Sequence, residues 1–312
     1  MIARMEGNQL HTFSRQSGMN AVFSGRELAL LLAHAQTGGI TPFIQRLFDL
    51  GVLPHDASAR QEILRAVRMS EDGKTKAKPS KHRLPRSLHI EVTGLCPFTC
   101  PQCYQAKRRT GHMPFSLLEQ LVDEASEIGI FQIALGGGEP LIYPDLCRAI
   151  RRIAATGMGV SITSSGYGLT ADTLSALADA GLNHLQISLN AVRQDVNRLS
   201  RAGHDEAMAA LELLSGRKLS FGINWTARKD TLPGLPELLA LAADLGADTV
   251  NMLRYKPSPA ETYATVAPNR VEIETLAGLI AAHTGVPLTL DSAFANLRCL
   301  VQSGQRSCFQ YG

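Results

Sequence analysis

The chain has 312 residues, a net charge of +3, 45% hydrophobic and 19% charged residues. This is long enough for one large domain and a small one, and the charge is too small for a protein built to bind nucleic acid or a membrane surface. Its 6 cysteines do not form a secreted disulfide framework, the N-terminus shows no signal peptide, and the longest apolar stretch, Leu28 to Ala33, is far short of the ~20 residues that span a bilayer; a cytoplasmic protein with no nucleic-acid or membrane partner is expected.

Residues 1–69 read as a small separate unit. Leu10-His11-Thr12-Phe13 and Ala21-Val22-Phe23 flank the turn-like Ser17-Gly18-Met19-Asn20 and predict a hairpin. Ser24 with Glu27 three residues later predicts a capping box opening a helix over Leu28–Ala35, which Gly38-Gly39 ends. Thr41-Pro42 starts a second helix, with Phe43, Ile44, Leu47, Phe48 and Leu50 on one stripe. A third covers Ala57–Val67. A hairpin and three short helices make a winged-helix-like α+β unit. The second helix offers Gln45 and Arg46 but no basic cluster, which argues against DNA.

Residues 70–87 form a basic linker, with Lys74, Lys76, Lys78, Lys81, Arg83 and Arg86 broken by Pro79 and Pro85. Such a run is usually only solvated; the other readings are a contact for an acidic leader peptide or for a redox partner.

From Leu88 the pattern alternates. Strands are predicted at 88–93, 130–135, 160–163, 184–189, 220–225 and 249–253, and helices at 116–127, 144–155, 171–180, 204–215, 235–245 and 272–283. Such alternation specifies an α/β fold with a parallel sheet and crossover helices. Six units close partway into a barrel, a partial (β/α)6 over residues 88–290, with the functional loops at the carboxyl ends of the strands.

The loop after the first of these strands is Cys96-Pro97-Phe98-Thr99-Cys100-Pro101-Gln102-Cys103-Tyr104. Cysteine thiolates are soft ligands suited to iron–sulfur clusters and zinc, and the short spacings with two prolines keep the three sulfurs in one compact loop. No fourth cysteine lies close in sequence, whereas structural zinc sites and electron-transfer cubanes close on four ligands. Three thiolates point to a [4Fe-4S] cluster with one iron open to a small molecule. The alternative is a zinc knuckle completed from elsewhere, by His112 or Cys147.

After the second strand comes Leu135-Gly136-Gly137-Gly138-Glu139-Pro140. Its glycines let backbone approach a ligand with N–H groups exposed; alone, such a cluster also marks a sharp turn. Thr163-Ser164-Ser165-Gly166 ends the third strand. Ser188 closes the fourth and Arg201 follows thirteen residues on; by themselves these read equally as a strand-end hydroxyl and a surface arginine. Asn251-Met252-Leu253-Arg254-Tyr255 ends the sixth. Cys147 reads as a packing residue in its helix.

From Leu88 to Lys256 these motifs, in this order, resemble the radical S-adenosylmethionine (SAM) enzymes, whose hallmark is a C-x3-C-x2-C loop after the first barrel strand. The resemblance implies that Cys96, Cys100 and Cys103 hold a [4Fe-4S] cluster whose open iron chelates SAM. It implies that Gly137, Gly138 and Glu139 hold the methionyl amino group, a carboxylate being suited to an ammonium. Ser165 stands where relatives often carry the middle residue of Thr-Asn-Gly. Ser188 and Arg201 match the pair that binds the methionyl carboxylate in the peptide-modifying branch, and Leu253 is placed beside the adenine. Tyr104 matches the tyrosine common after the third cysteine in that branch; Gln102 stands where many members carry an aromatic residue.

The same resemblance implies the activity. A flavodoxin- or ferredoxin-like donor supplies one electron, and SAM is cleaved to methionine and a 5′-deoxyadenosyl radical that abstracts hydrogen from the substrate. The N-terminal unit is similar in outline to the peptide-recognition domains of radical SAM peptide maturases. Cys299 and Cys308, in residues 291–312, resemble the opening of the cysteine-rich SPASM or twitch extension that binds auxiliary clusters, here ending at Gly312. A precursor peptide is therefore the expected substrate, crosslinked or epimerised. The alternatives are a small-molecule radical SAM enzyme, a zinc-binding winged-helix regulator and a plain iron–sulfur electron carrier.

Overall fold

The computed structural model describes residues 1–6, 8–14, 20–71, 85–103, 111–256, 263–291, 294 and 310–311. The chain divides into two compact units: Met1–Leu88 with Ser116–Ile133 and Arg151–Val160, and His89–Phe115 with Ala134–Ile150 and Ser161–Gly312.

The first unit opens on an antiparallel sheet of β1 (Ile2–Glu6), β2 (Gln9–Phe13) and β3 (Asn20–Phe23), in that order. The expected hairpin is therefore two strands of three, with Met5 and Phe23 both opposite Leu10. Three helices follow at Gly25–Thr37, Pro42–Asp49 and Ala57–Glu71. The first ends on Gly38 in a left-handed conformation, φ 77°, a backbone that glycine adopts without a Cβ penalty. The second is capped by Thr41, whose hydroxyl accepts from the Ile44 N–H at 3.3 Å, with Pro42 at the first helical position.

The capping box expected at Ser24 does not form, because the Ser24 side chain makes no cap hydrogen bond. Gly25, the first residue of that helix, takes a left-handed conformation at φ 51°. The helices close over the sheet on a core that includes Leu10, Phe23, Leu31, Ile44, Leu47 and Ile63. Leu10, Leu31, Ile44 and Ile63 have no exposed surface, and full burial of such a side chain contributes about 1.5–3 kcal/mol. In the same unit the Arg4 guanidinium lies 4.5 Å from the centre of the Phe131 ring, pairs with Glu6 at 2.5 Å and donates to the Gly129 carbonyl. Phe13 stacks on Phe131 with ring centres 6.4 Å apart.

The remaining strands form one eight-stranded sheet in simple sequence order: β4 (Ser87–Thr93), β5 (Gln132–Gly137), β6 (Gly159–Ser164), β7 (His184–Ser188), β8 (Ser220–Ala227), β9 (Thr249–Arg254), β10 (Leu288–Leu290) and β11 (Gln310–Tyr311). The pairings from β6 through β11 are parallel. Helices follow β4 to β9 at Phe115–Glu127, Leu146–Ala155, Ala171–Asp179, His204–Leu214, Leu235–Asp244 and Arg270–Ala282, the strand–helix succession of a partial (β/α)6 barrel.

Period-two patterning decides what each face carries. Ile162, Leu185, Ile187, Ile223, Trp225 and Met252 are buried on one face, where helices cover the sheet. The alternate residues Thr163, Ser188, Asn224 and Thr226 are polar and line a cavity at the carboxyl ends of the strands. Among the described residues no helix is long and apolar enough to cross a membrane.

Candidate active site

The cysteine loop leaves β4 at Thr93 and is held by backbone of the glycine loop. The Gly138 N–H donates to the Thr93 carbonyl at 2.7 Å and the Glu139 N–H to the Leu95 carbonyl at 2.8 Å. A Cβ on Gly137 would strike the Thr93 carbonyl, and one on Gly138 the Leu95 carbonyl. Gly137 also sits at φ 122°, a conformation that side-chain-bearing residues rarely adopt. Gly136 has a different reason: a Cβ there would run into the His89 imidazole. The three glycines thus seat the cysteine loop and one ring against β5.

On its other side the cysteine loop rests on the segment after β7. Phe98 packs so closely on Gly203 that a Cβ there would lie 2.6 Å from the ring, and Phe98 meets Tyr167 edge to face at 5.6 Å. The Gln102 N–H donates to the Ser200 carbonyl at 3.0 Å, and the Ala202 N–H to the Cys100 sulfur at 3.4 Å.

A cavity of about 320 Å³ opens between these loops. Cys96, Cys100 and Cys103 line it, all three half-buried. Gly137, Gly138, Ser165, Ser188, Arg201 and Leu253 line the same cavity, so residues spread over 158 positions of sequence, from Cys96 to Leu253, converge there as the motif order implies. Tyr104, Cys299 and Cys308 lie outside the described residues.

Glu139 stands behind this wall. Its carboxylate is 1% exposed and accepts four hydrogen bonds from the chain: the Leu141 N–H, the Ser164 hydroxyl, the Ser165 N–H and the Ser165 hydroxyl, at 3.1, 2.7, 2.8 and 2.5 Å. It therefore ties the loop after β5 to the end of β6.

The donor set fits an iron–sulfur cluster and its ligand. Three thiols face one cavity, an N–H already points at one of the sulfurs, and the Arg201 Nε is buried with no hydrogen-bond partner among the described residues. An arginine fork left in this way suits a carboxylate entering the cavity. Among the described residues no three His, Cys, Asp or Glu gather around a point that would hold one metal ion. His112, named for a zinc site, is tilted against Tyr143 at 5.8 Å.

Arg254 and Tyr255, from the sixth-strand end marked in the sequence, also line the cavity, together with His89, Lys256 and Asp291, which sequence reasoning missed. Partial desolvation pushes the His89 pKa down, with the Glu91 charge opposing and the Lys256 charge adding to it. The period-two pattern of β4, with His89 and Glu91 between Leu88, Ile90 and Val92, is the signal that marks its cavity-facing side.

Residues 90–239 match the family model of the radical SAM superfamily. Over 174 residues the chain is 28% identical to the PqqA peptide cyclase of Gluconobacter oxydans, an alignment covering 54% of this chain and 49% of that protein; the chain thus spans about half the length of this curated relative. A crystal structure of SuiB from Streptococcus suis superposes with a TM-score of 0.64 at 14% identity, covering 100% of this chain and 75% of that one. The structure of SuiB bound to the precursor peptide SuiA gives 0.54 at 17% identity, covering 82% and 64%. At these identities the two structures speak for the fold, and the family match speaks for the motifs: residues 90–239, close to half of the chain, match the radical SAM superfamily.

Proposed function

We propose that the protein is a radical SAM enzyme that modifies a ribosomally made precursor peptide. The observation that carries this reading is the single cavity shared by Cys96, Cys100 and Cys103, the glycine loop and the buried Arg201 Nε. The three thiolates would hold a [4Fe-4S] cluster. The Arg201 guanidinium and the Ser188 hydroxyl would take the methionyl carboxylate of SAM, and Leu253 would pack beside the adenine. Gly137, Gly138 and Ser165 would present backbone and hydroxyl groups to the methionyl amine, with Glu139 fixing Ser165 and the loop. When bound, cluster and SAM supply reductive cleavage of SAM and abstraction of a hydrogen atom from the substrate; the chain supplies binding, orientation and exclusion of water.

The peptide assignment is supported by the names of the relatives, a PqqA peptide cyclase and a SuiB bound to a precursor peptide, and by the three-stranded sheet with its own helical cover at the N-terminus. A flavodoxin- or ferredoxin-like protein is the electron donor of this reading, and the cytoplasm its compartment. Cys299 and Cys308 would begin an auxiliary cluster site. Tyr104 would flank the main cluster.

The test is to incubate the anaerobically reconstituted full chain with SAM, dithionite and short candidate precursor peptides taken from its genomic neighbourhood, and to read peptide mass and fragmentation. A loss of two hydrogens with a new link between side chains, or a residue epimerised with deuterium taken up from solvent, supports the reading. SAM cleavage that leaves every such peptide unchanged but alters a small molecule contradicts the peptide assignment.

A further inference from the structure

Gln102 lies between Cys100 and Cys103 on the cavity wall, and its side-chain amide is bonded to the chain. The Oε1 atom accepts from the Asn190 Nδ2 at 3.1 Å, and the Nε2 atom lies 3.5 Å from the Thr226 hydroxyl. Asn190 has no exposed surface, nor have Asn197 and Ser200. Every hydrogen-bonding group of the Asn190 amide is used: Nδ2 donates to Gln102 and to the Ser200 hydroxyl at 2.8 Å, and Oδ1 accepts from the Thr226 N–H at 3.0 Å. The Asn190 N–H in turn donates to the Asn197 Oδ1 at 2.9 Å, and the Asn197 Nδ2 to the Arg201 carbonyl at 3.1 Å.

The orientation of both amides follows from one fixed donor. The Thr226 N–H can only donate, so Asn190 must turn its oxygen to it and its NH₂ to Gln102, and Gln102 must answer with its oxygen. The network joins the cysteine loop to the ends of β7 and β8. It runs directly beneath Ser200-Arg201-Ala202, the segment whose Ala202 N–H donates to the Cys100 sulfur at 3.4 Å. A hydrogen bond to a cluster sulfur stabilises the more negative, reduced cluster and raises its potential, and such a bond holds only while both loops stay in register.

We propose that Gln102 is a positioning residue: through Asn190 it locks the cysteine loop against the Ser200–Ala202 segment, keeps the Ala202 N–H on the Cys100 sulfur, and so sets the reduction potential of the cluster. The proposal rests on the radical SAM reading of the cysteine loop. It assigns Gln102 a role carried by its side-chain oxygen, one that an apolar side chain of equal length cannot fill. Buried polar networks of this kind act as units, so removing either end should cost about as much as removing both.

The experiment compares the anaerobically reconstituted full chain with Gln102→Met, Asn190→Ser and the double variant, reading iron content, thermal melting, the electron paramagnetic resonance signal of the reduced cluster and its midpoint potential. Each single variant is expected to melt cooperatively, to shift the potential to more negative values and to change the signal, with the double variant shifted no further than the larger single. Loss of iron from a Gln102→Met protein that still melts as the wild type does also supports the proposal. If Gln102→Met does not fold, Asn190→Ser reads the same bond from its other end. Wild-type potential and signal in the folded single variants, or shifts that add in the double, overturn it. A wild-type chain that takes up no iron overturns the radical SAM reading itself, an outcome separable from failure of the Gln102 variants alone.

Discussion

Ser165 donates both its backbone N–H and its hydroxyl to the carboxylate of Glu139, at 2.8 and 2.5 Å, joining the end of β6 to the glycine loop after β5. With the Ser164 hydroxyl and the Leu141 N–H on the same group, the Glu139 side chain is buried and surrounded by the chain's own donors. It fixes the backbone from which Gly138 and Glu139 reach across to the Thr93 and Leu95 carbonyls. The glycine loop thereby shapes the cysteine loop as well as the cavity wall.

Glu139→Ala should therefore cost stability as well as SAM affinity. It strands the Ser165 N–H and two hydroxyls in a buried place, and an unsatisfied buried donor costs about 1–3 kcal/mol. Chemical denaturation of the variant should show a loss of that order, and iron incorporation should fall with it. A variant as stable as the wild type that loses only SAM binding would restrict Glu139 to ligand contact.

Arg201→Met should separate SAM binding from cluster assembly. Losing one charge-assisted hydrogen bond to a carboxylate weakens binding by about 1.5–3 kcal/mol. The expected result is unchanged iron content with SAM affinity reduced by roughly tenfold to a hundredfold, read by titration of the cluster signal. Equal SAM affinity in variant and wild type would remove Arg201 from the site.

Stability should fall below neutral pH through His184. The imidazole bonds the Ser220 hydroxyl through Nδ1 at 2.7 Å, and burial holds its pKa down to about 4 from 6.5, with Asp248 opposing. Between those values the unfolded chain binds more protons than the folded one. The contribution is thus whole above pH 6.5 and lost as pH falls toward 4, by up to about 3 kcal/mol. Denaturation midpoints at pH 7.5 and pH 5 should differ less in His184→Gln than in the wild type; an equal difference would place the pH dependence elsewhere.

The barrel was legible where the signal is local. The sixth strand, expected at 249–253, runs over Thr249–Arg254, because its apolar period and its flanking turn signals lie within the same few residues. The three cysteines were legible for the same reason. The first strand was not: Ile2–Glu6 has no turn signal ahead of it, and what holds Arg4 there is Phe131 and the Gly129 carbonyl, more than a hundred residues away. Glu139 shows the same limit, since nothing near it in sequence tells that Ser164 and Ser165 will surround its carboxylate. Asn190 and Gln102 are 88 residues apart, and a polar residue at a strand end reads as ordinary until the fold brings its partner to it.

The most direct measurement of the central claim is the iron content of the anaerobically reconstituted full chain together with its formation of 5′-deoxyadenosine from SAM under dithionite. The account predicts about four or more irons per chain, steady 5′-deoxyadenosine formation, and loss of the irons of the main cluster and of all product when Cys96, Cys100 and Cys103 are changed together to Ala. Stoichiometric zinc in the native protein, or product formation undiminished in the triple variant, would contradict it.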